Sequence, residues 1–175
     1  MNTMPKKNSF ERLPLVAQAD IDTPLGPMTA LATEDGLAVL WFDSRERFGL
    51  NSDAPVKPRQ RHIVSAQRWL DAYWADKPTP DDEPTLDLHG SPFQRAVWKV
   101  LRAIPRGHTK TYGEVAAAVG SGAVPRATGT ACARNPVGVI VPCHRVIGAN
   151  GSLTGFSAGL PRKEKLLQHE GILLL

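Results

Sequence analysis

Ten consecutive residues near the middle of the chain, Ala75-Asp-Lys-Pro-Thr-Pro-Asp-Asp-Glu-Pro84, hold three prolines and four acids. Proline lacks the amide proton that helices and central strands require, and clustered like charges resist burial, so this stretch reads as a stiff exposed connector. It divides the chain into a mobile tail over 1–12, an amino-terminal domain over 13–84 and a carboxy-terminal domain over 85–175. Charge divides at nearly the same place. Residues 1–89 carry 10 Lys and Arg against 14 Asp and Glu, whereas residues 90–175 carry 11 against 3. A solvated surface accounts for a modest imbalance; one this lopsided favours a polyanionic partner, and nucleic acid fits best.

The hydrophobic share of 42% with 22% charged residues is that of an ordinary globular chain. No run of about 18 apolar residues exists, so no membrane partner is expected, and the basic start carries no apolar stretch behind it. A cytoplasmic, nucleoid-associated protein is the expectation. Cys132 and Cys143 could pair, but an intracellular chain keeps thiols reduced, and two cysteines cannot build a four-cysteine metal site. The glycine-rich loop over 148–159 matches neither phosphate-binding fingerprint. No metal and no cofactor are expected.

Local patterns predict a small α/β domain followed by a mostly helical one. Strand-like pieces at 16–21, 28–33 and 37–42, the last two separated by Glu34-Asp-Gly36, suggest an antiparallel meander. Ile63, Ala66, Trp69, Leu70 and Tyr73 recur at helical spacing and supply one covering helix. Leu86-Asp-Leu88 suggests a short strand. Ser91-Pro-Phe-Gln94 is a capping box opening a helix with Phe93, Val97, Val100, Leu101 and Ile104 on its core face. Thr111-x-x-Glu114 is a second capping box, and Gly120 stops its helix. Pro125-Arg-Ala-Thr-Gly-Thr-Ala-Cys-Ala-Arg134 follows closely, and two helices joined this way resemble a helix-turn-helix. So small a helix either packs tightly inside the domain or approaches another backbone; Arg126, a long cation among small residues, favours the second. Pro161 and Gly171 bound a last helix with Leu166 and Leu167 inward.

Val137-Gly-Val-Ile-Val-Pro142 reads as a short buried strand closed by proline, which places Cys143 just beyond a strand end. His144 follows, and the charge of Arg145 would favour a thiolate. By itself a Cys-His pair is more often a buried small residue beside a surface imidazole. Glu170, at a helix carboxyl end where a carboxylate opposes the dipole, calls for a cationic or hydrogen-bonding partner, and His144 is the candidate.

Taken together, Ser91-Pro-Phe-Gln, Val97-Trp98, Ile104-Pro105-x-Gly107, Thr111-Tyr112, Arg126-Ala127, Asn135-Pro136, Pro142-Cys-His-Arg-Val146 and His169-Glu-Gly171 resemble the O6-alkylguanine-DNA alkyltransferases. The resemblance covers nearly half the chain. It implies irreversible, stoichiometric transfer of an alkyl group from O6-alkylguanine in double-stranded DNA to Cys143 after the base is flipped out, with O4-alkylthymine left open as a further substrate. By the same resemblance His144 draws the thiol proton through a water, Glu170 orients His144, and Asn135 braces the turn at Cys143. Tyr112, Val146, Phe156 and Ser157 would bind the base, and Arg126, Ala127, Gly129 and Thr130 the DNA, with the second helix in the minor groove. The implied state is a monomer, with cooperative loading on DNA as an open alternative. Pro125 and Phe156 depart from the family pattern, which has a small helix former and commonly a tyrosine there; the first would start the recognition helix one residue later. A non-catalytic lesion-binding relative is the alternative reading, but those carry tryptophan in place of the cysteine. A cysteine hydrolase would need turnover, and a plain helix-turn-helix regulator would not need Cys143.

Overall fold

The computed structural model describes residues 13–43, 53–80, 83–120 and 122–172, so the expected tail over 1–12 lies outside the described residues. Two compact units, 1–89 and 90–175, make up the chain. Among the described residues no helix is long and apolar enough to cross a membrane.

In the first unit β1 (Ala17–Ile21), β2 (Met28–Ala32) and β3 (Leu37–Phe42) form an antiparallel sheet in that order, with Ala19 opposite Ala30 and Ala30 opposite Leu40. The turn before β3 is tied by Thr33, whose hydroxyl accepts from the amides of Asp35 and Gly36. β3 reads Leu-Ala-Val-Leu-Trp-Phe without polar alternation and is buried along its whole length, as a strand covered on both faces must be. Helix α1 (Arg61–Trp74) supplies cover: Gln60 caps its first amides, and Ile63, Ala66, Trp69, Leu70 and Tyr73 are buried.

Both sheet edges are closed by short bridges, at Gln18 with Val56 and at Leu37 with Leu86. The second bridge corrects the expected domain boundary. Leu37 donates to Thr85 O and Asp87 donates back to Leu37 O, while Thr33 Oγ1 donates to Asp87 at 2.6 Å. Residues 85–89 therefore complete the first unit and do not open the second. Prolines mark where the chain is stiff, but a one-residue bridge has no periodicity from which its partner could be read.

The second unit contains α2 (Pro92–Arg102), α3 (Tyr112–Val119), α4 (Pro125–Ala133) and α5 (Leu160–His169), with β4 (Lys110–Thr111) parallel to β5 (Val146–Ile147). Both expected capping boxes form, at Ser91 with Gln94 and at Thr111 with Glu114. Each satisfies two otherwise orphaned amides and so fixes a helix start where a loop must turn inward. The core joins Val97, Trp98, Leu101, Ile104, Val115, Ala131, Leu166 and Leu167. Trp98 Nε1 donates to Ala131 O at 2.9 Å, pinning α2 to α4 through an indole that would otherwise be an unsatisfied buried donor. Helix α4 begins at Pro125 itself, with Val124 as its uncapped N-cap. Proline is well suited to the first helical position, so no later start is needed.

At Gly36 the chain passes close to its neighbour: a Cβ there would lie 2.8–2.9 Å from the backbone of residues 85–87. Gly36→Ala should lower stability by about 1–3 kcal/mol through overpacking against main chain that cannot step aside. Urea unfolding of the full chain measures it, and an unchanged midpoint would contradict the close approach.

Candidate active site

The apolar run before Cys143 is not a strand. Gly138 O accepts from Ile140 N at 2.8 Å around Val139, whose φ is +69°, and this is a γ-turn of the positive-φ kind. Pro142, at φ −83° and ψ 63°, centres an inverse γ-turn in which Cys143 N donates to Val141 O at 2.9 Å. Two turns of opposite hand thus replace the expected extension. β-Branched residues disfavour positive φ, and a position like Val139 is held at a cost of order 1–3 kcal/mol.

Asn135, fully buried, is what holds it. Its Oδ1 accepts from Val137 N at 3.0 Å, and its Nδ2 donates to Val141 O at 2.8 Å and to Cys143 Sγ at 3.2 Å. One side chain therefore braces the turn and touches the sulfur. Residues 143–145 then form a single 3-10 turn that sends His144 and Arg145 into the interior.

Glu170 receives them both. His144 Nε2 lies 2.7 Å from Oε1, and Arg145 donates through Nε to Oε2 at 2.8 Å and through Nη2 to Oε1 at 2.9 Å. Arg145 Nη1 also reaches Ile104 O at 2.6 Å. The expected His144–Glu170 pair is present. Arg145, expected to favour a thiolate, is instead forked onto the carboxylate, which absorbs its charge. Burial alone would raise the Glu170 pKa, but the hydrogen bonds and charges of His144 and Arg145 hold it well below the carboxylate range. Burial lowers His144 from 6.5 and outweighs the opposing pull of Glu170. The imidazole is then neutral at pH 7, with its Nε2 proton toward Glu170. Its Nδ1 has no hydrogen-bond partner among the described residues.

A cavity of about 670 Å³ opens beside Cys143. Helix α3 contributes Tyr112, α4 contributes Arg126, Gly129, Thr130 and Cys132, and the loop before α5 contributes Phe156 and Ser157. Small residues on α4 leave this space free, and the aromatic rings wall it. Tyr112 hydroxyl donates to Thr154 O at 3.3 Å, and Ser157 hydroxyl to Ala133 O at 3.0 Å. His144, Glu170 and Asn135 lie behind the cavity wall, and Val146 and Ala127 are not part of its lining. Burial pushes Cys132 up to about 12, and the neighbouring Cys143 adds to the rise. Among the described residues no group of three His, Cys, Asp or Glu could hold a metal ion.

Sequence reasoning missed Lys163. Its ammonium is fully buried, donates to Val146 O and to Thr154 O at 2.8 Å, and lies 6.0 Å from the centre of the Tyr112 ring. Burial lowers its pKa, while the two cysteines pull it back up. Within a run reading Arg-Lys-Glu-Lys nothing distinguishes an inward lysine except helical phase: Leu166 and Leu167 face the core, and residue 163 falls on the same side.

Residues 92–172 match the family model described as 6-O-methylguanine DNA methyltransferase, DNA binding domain. A methylated-DNA--protein-cysteine methyltransferase of Methanosarcina acetivorans is 42% identical over 153 residues, covering 87% of this chain and 97% of that one. Its counterpart in Salmonella typhimurium is 41% identical over 163 residues, covering 89% and 95%. The crystal structure of Mycobacterium tuberculosis OGT in complex with DNA superposes with a TM-score of 0.79 at 40% identity, covering 89% of this chain and 92% of that one.

The buried cluster makes stability acid-sensitive. His144 has a folded-state pKa below 6.5, so the unfolded chain binds more protons as pH falls below that value, and Glu170 does the same below 4.5. Both contributions are complete at neutral pH and are lost on acidification. Urea midpoints should fall between pH 7 and pH 5, and His144→Gln should flatten that part while leaving the loss below pH 4.5. A midpoint that rises toward pH 5 would contradict the neutral imidazole.

Proposed function

The chain belongs to the methylated-DNA--protein-cysteine methyltransferase family, and we propose that it repairs DNA by moving an alkyl group from O6 of guanine to Sγ of Cys143. The observation that carries this reading is the thiol itself: Cys143 borders a cavity large enough for a base, with Asn135 on its sulfur and the His144–Glu170–Arg145 cluster behind it. A lesion-binding protein without chemistry would have no use for a thiol at that position.

In this mechanism Glu170, kept ionised by Arg145, holds the Nε2 proton of His144 and leaves Nδ1 as an acceptor. A water carries the thiol proton to Nδ1. The thiolate attacks the alkyl carbon, the carbon–O6 bond breaks, and the departing guanine anion is neutralised at a ring nitrogen by the one proton that left the thiol, returned from His144 through water. A thioether has no acyl centre for water to attack, so the protein is consumed. Cys132 offers no second nucleophile, being buried and protonated.

The alkyl carbon is inaccessible inside a duplex, so the base must leave the stack. Helices α3 and α4 act as a helix-turn-helix, and Ala127, Gly129 and Thr130 let α4 lie close to the minor groove. Arg126, exposed at the first turn of α4, fills the gap left by the base. Tyr112 exchanges its bond to Thr154 for one to the base, Phe156 walls the alkyl group, and the backbones of Ser157 and Val146 read the guanine edge. The second lone pair of Val146 O serves for this, the first being taken by Lys163. The protein acts as a monomer in the cytoplasm, at the nucleoid, without metal or cofactor.

Intact-protein mass spectrometry after incubation with excess O6-methylguanine duplex should show one methyl addition, mapped to Cys143. Multiple turnover, release of a free base or a methyl on Cys132 would overturn the mechanism. Arg126→Ala should slow repair of duplex DNA by roughly a hundredfold, as expected when a few kcal/mol of unstacking go uncompensated. Transfer from free O6-benzylguanine should be little changed, and equal losses on both substrates would remove Arg126 from flipping.

A further inference from the structure

We propose that the outward face of α2 is a second phosphate-binding surface, which grips the DNA backbone away from the lesion pocket; this rests on the repair function above. Between Asp87 and Glu114 the chain carries Arg95, Lys99, Arg102, Arg106 and Lys110 and no acid. Arg95, Lys99 and Arg102 stand at i, i+4 and i+7 on one exposed stripe of α2, while Val97, Trp98 and Leu101 fill the buried side.

Local helix energetics do not account for the stripe. Like charges four residues apart destabilise a helix, and a cation near the amino-terminal end opposes the dipole. Lys99 and Arg102 suit the carboxyl end, but Arg95 does not, and no acid lies in the first turn. The other described helices with several charges mix their signs: α1 combines Arg61 and Arg68 with Asp71, and α5 combines Arg162 and Lys165 with Glu164. Helix α2 alone among them displays a single sign.

Its dimensions suit a nucleic-acid backbone. From Arg95 to Arg102 the helix rises about 10 Å, close to the axial length of about three phosphates along one strand. Helix α2 packs on both α3 and α4 and is pinned to α4 by Trp98, so the stripe belongs to the same rigid unit as the helices assigned to the lesion. Phosphates held at such a site would strengthen and orient binding without reading sequence.

The test is the salt dependence of binding to a duplex of about 20 base pairs, long enough to reach past the lesion on both sides, carrying O6-methylguanine. Wild-type protein is compared with Arg95→Gln/Lys99→Gln and with Lys57→Gln/Arg59→Gln, which removes two exposed charges from the first unit. The α2 variant should lower the slope of log affinity against log salt by about 2, since each phosphate that is no longer neutralised removes about 0.9. The control should keep the wild-type slope, as should the charge-preserving Arg95→Lys/Lys99→Arg. Wild-type rates with free O6-benzylguanine in every variant would show the pocket intact. An α2 variant with the wild-type slope, or one matched by the control, overturns the surface, and an acidic protein partner would then be the better reading of the stripe. Failure of the wild type to take an alkyl group from the duplex would strike the function itself and is read separately.

Discussion

One buried carboxylate organises the second unit. Glu170 caps α5 and binds His144 and Arg145, while Arg145 reaches on to Ile104 at the end of α2. Three segments distant in sequence are thereby fixed to one another by charge-assisted hydrogen bonds. Such an arrangement tolerates no missing member: removing one partner of a buried pair costs about 3–5 kcal/mol, because the survivor is left charged and dry. The same bonds set the chemistry, since the carboxylate that anchors the fold also fixes which imidazole nitrogen bears the proton.

Much of the fold is legible in the sequence because its signals are local. The hairpin at Asp35-Gly36, both capping boxes and the apolar stripe of α1 depend on neighbours within a turn or two, and each forms where its signal lies; the stripe of α2 is displaced toward Trp98, with Phe93 and Val100 half-buried. Residues 85–89 escape such reading because their partner, β3, lies far back in the chain. The segment before Cys143 misleads for another reason. Four β-branched residues report burial, and burial alone does not separate a strand from two tight turns; what decides is Asn135, whose amide substitutes for a missing ladder.

In the site, Cys143, His144 and Glu170 stand out from the residues themselves, as a short cluster and a helix end, whereas Asn135 enters only through the family resemblance. The partner of Arg145 does not stand out: its neighbour in sequence is His144, whereas its neighbour in space is Glu170. Lys163 is invisible at that level, since composition makes a lysine in a charged run solvent-exposed. Only helical phase, shared with Leu166 and Leu167, marks it as inward, and its partners are seen once the loop carrying Thr154 meets α5.

The contrast between the two cysteines has a practical side. Burial pushes the Cys132 thiol up to about 12, so at neutral pH it stays in the unreactive protonated form. Folded protein should therefore leave Cys132 unmodified by an electrophilic dye that labels it in unfolded protein. In a mixed preparation dye on Cys132 would report the unfolded fraction, whereas dye on Cys143 would not, because unfolded molecules consume it there too. The chain thus carries in Cys132 a built-in marker for the unfolded fraction of a preparation.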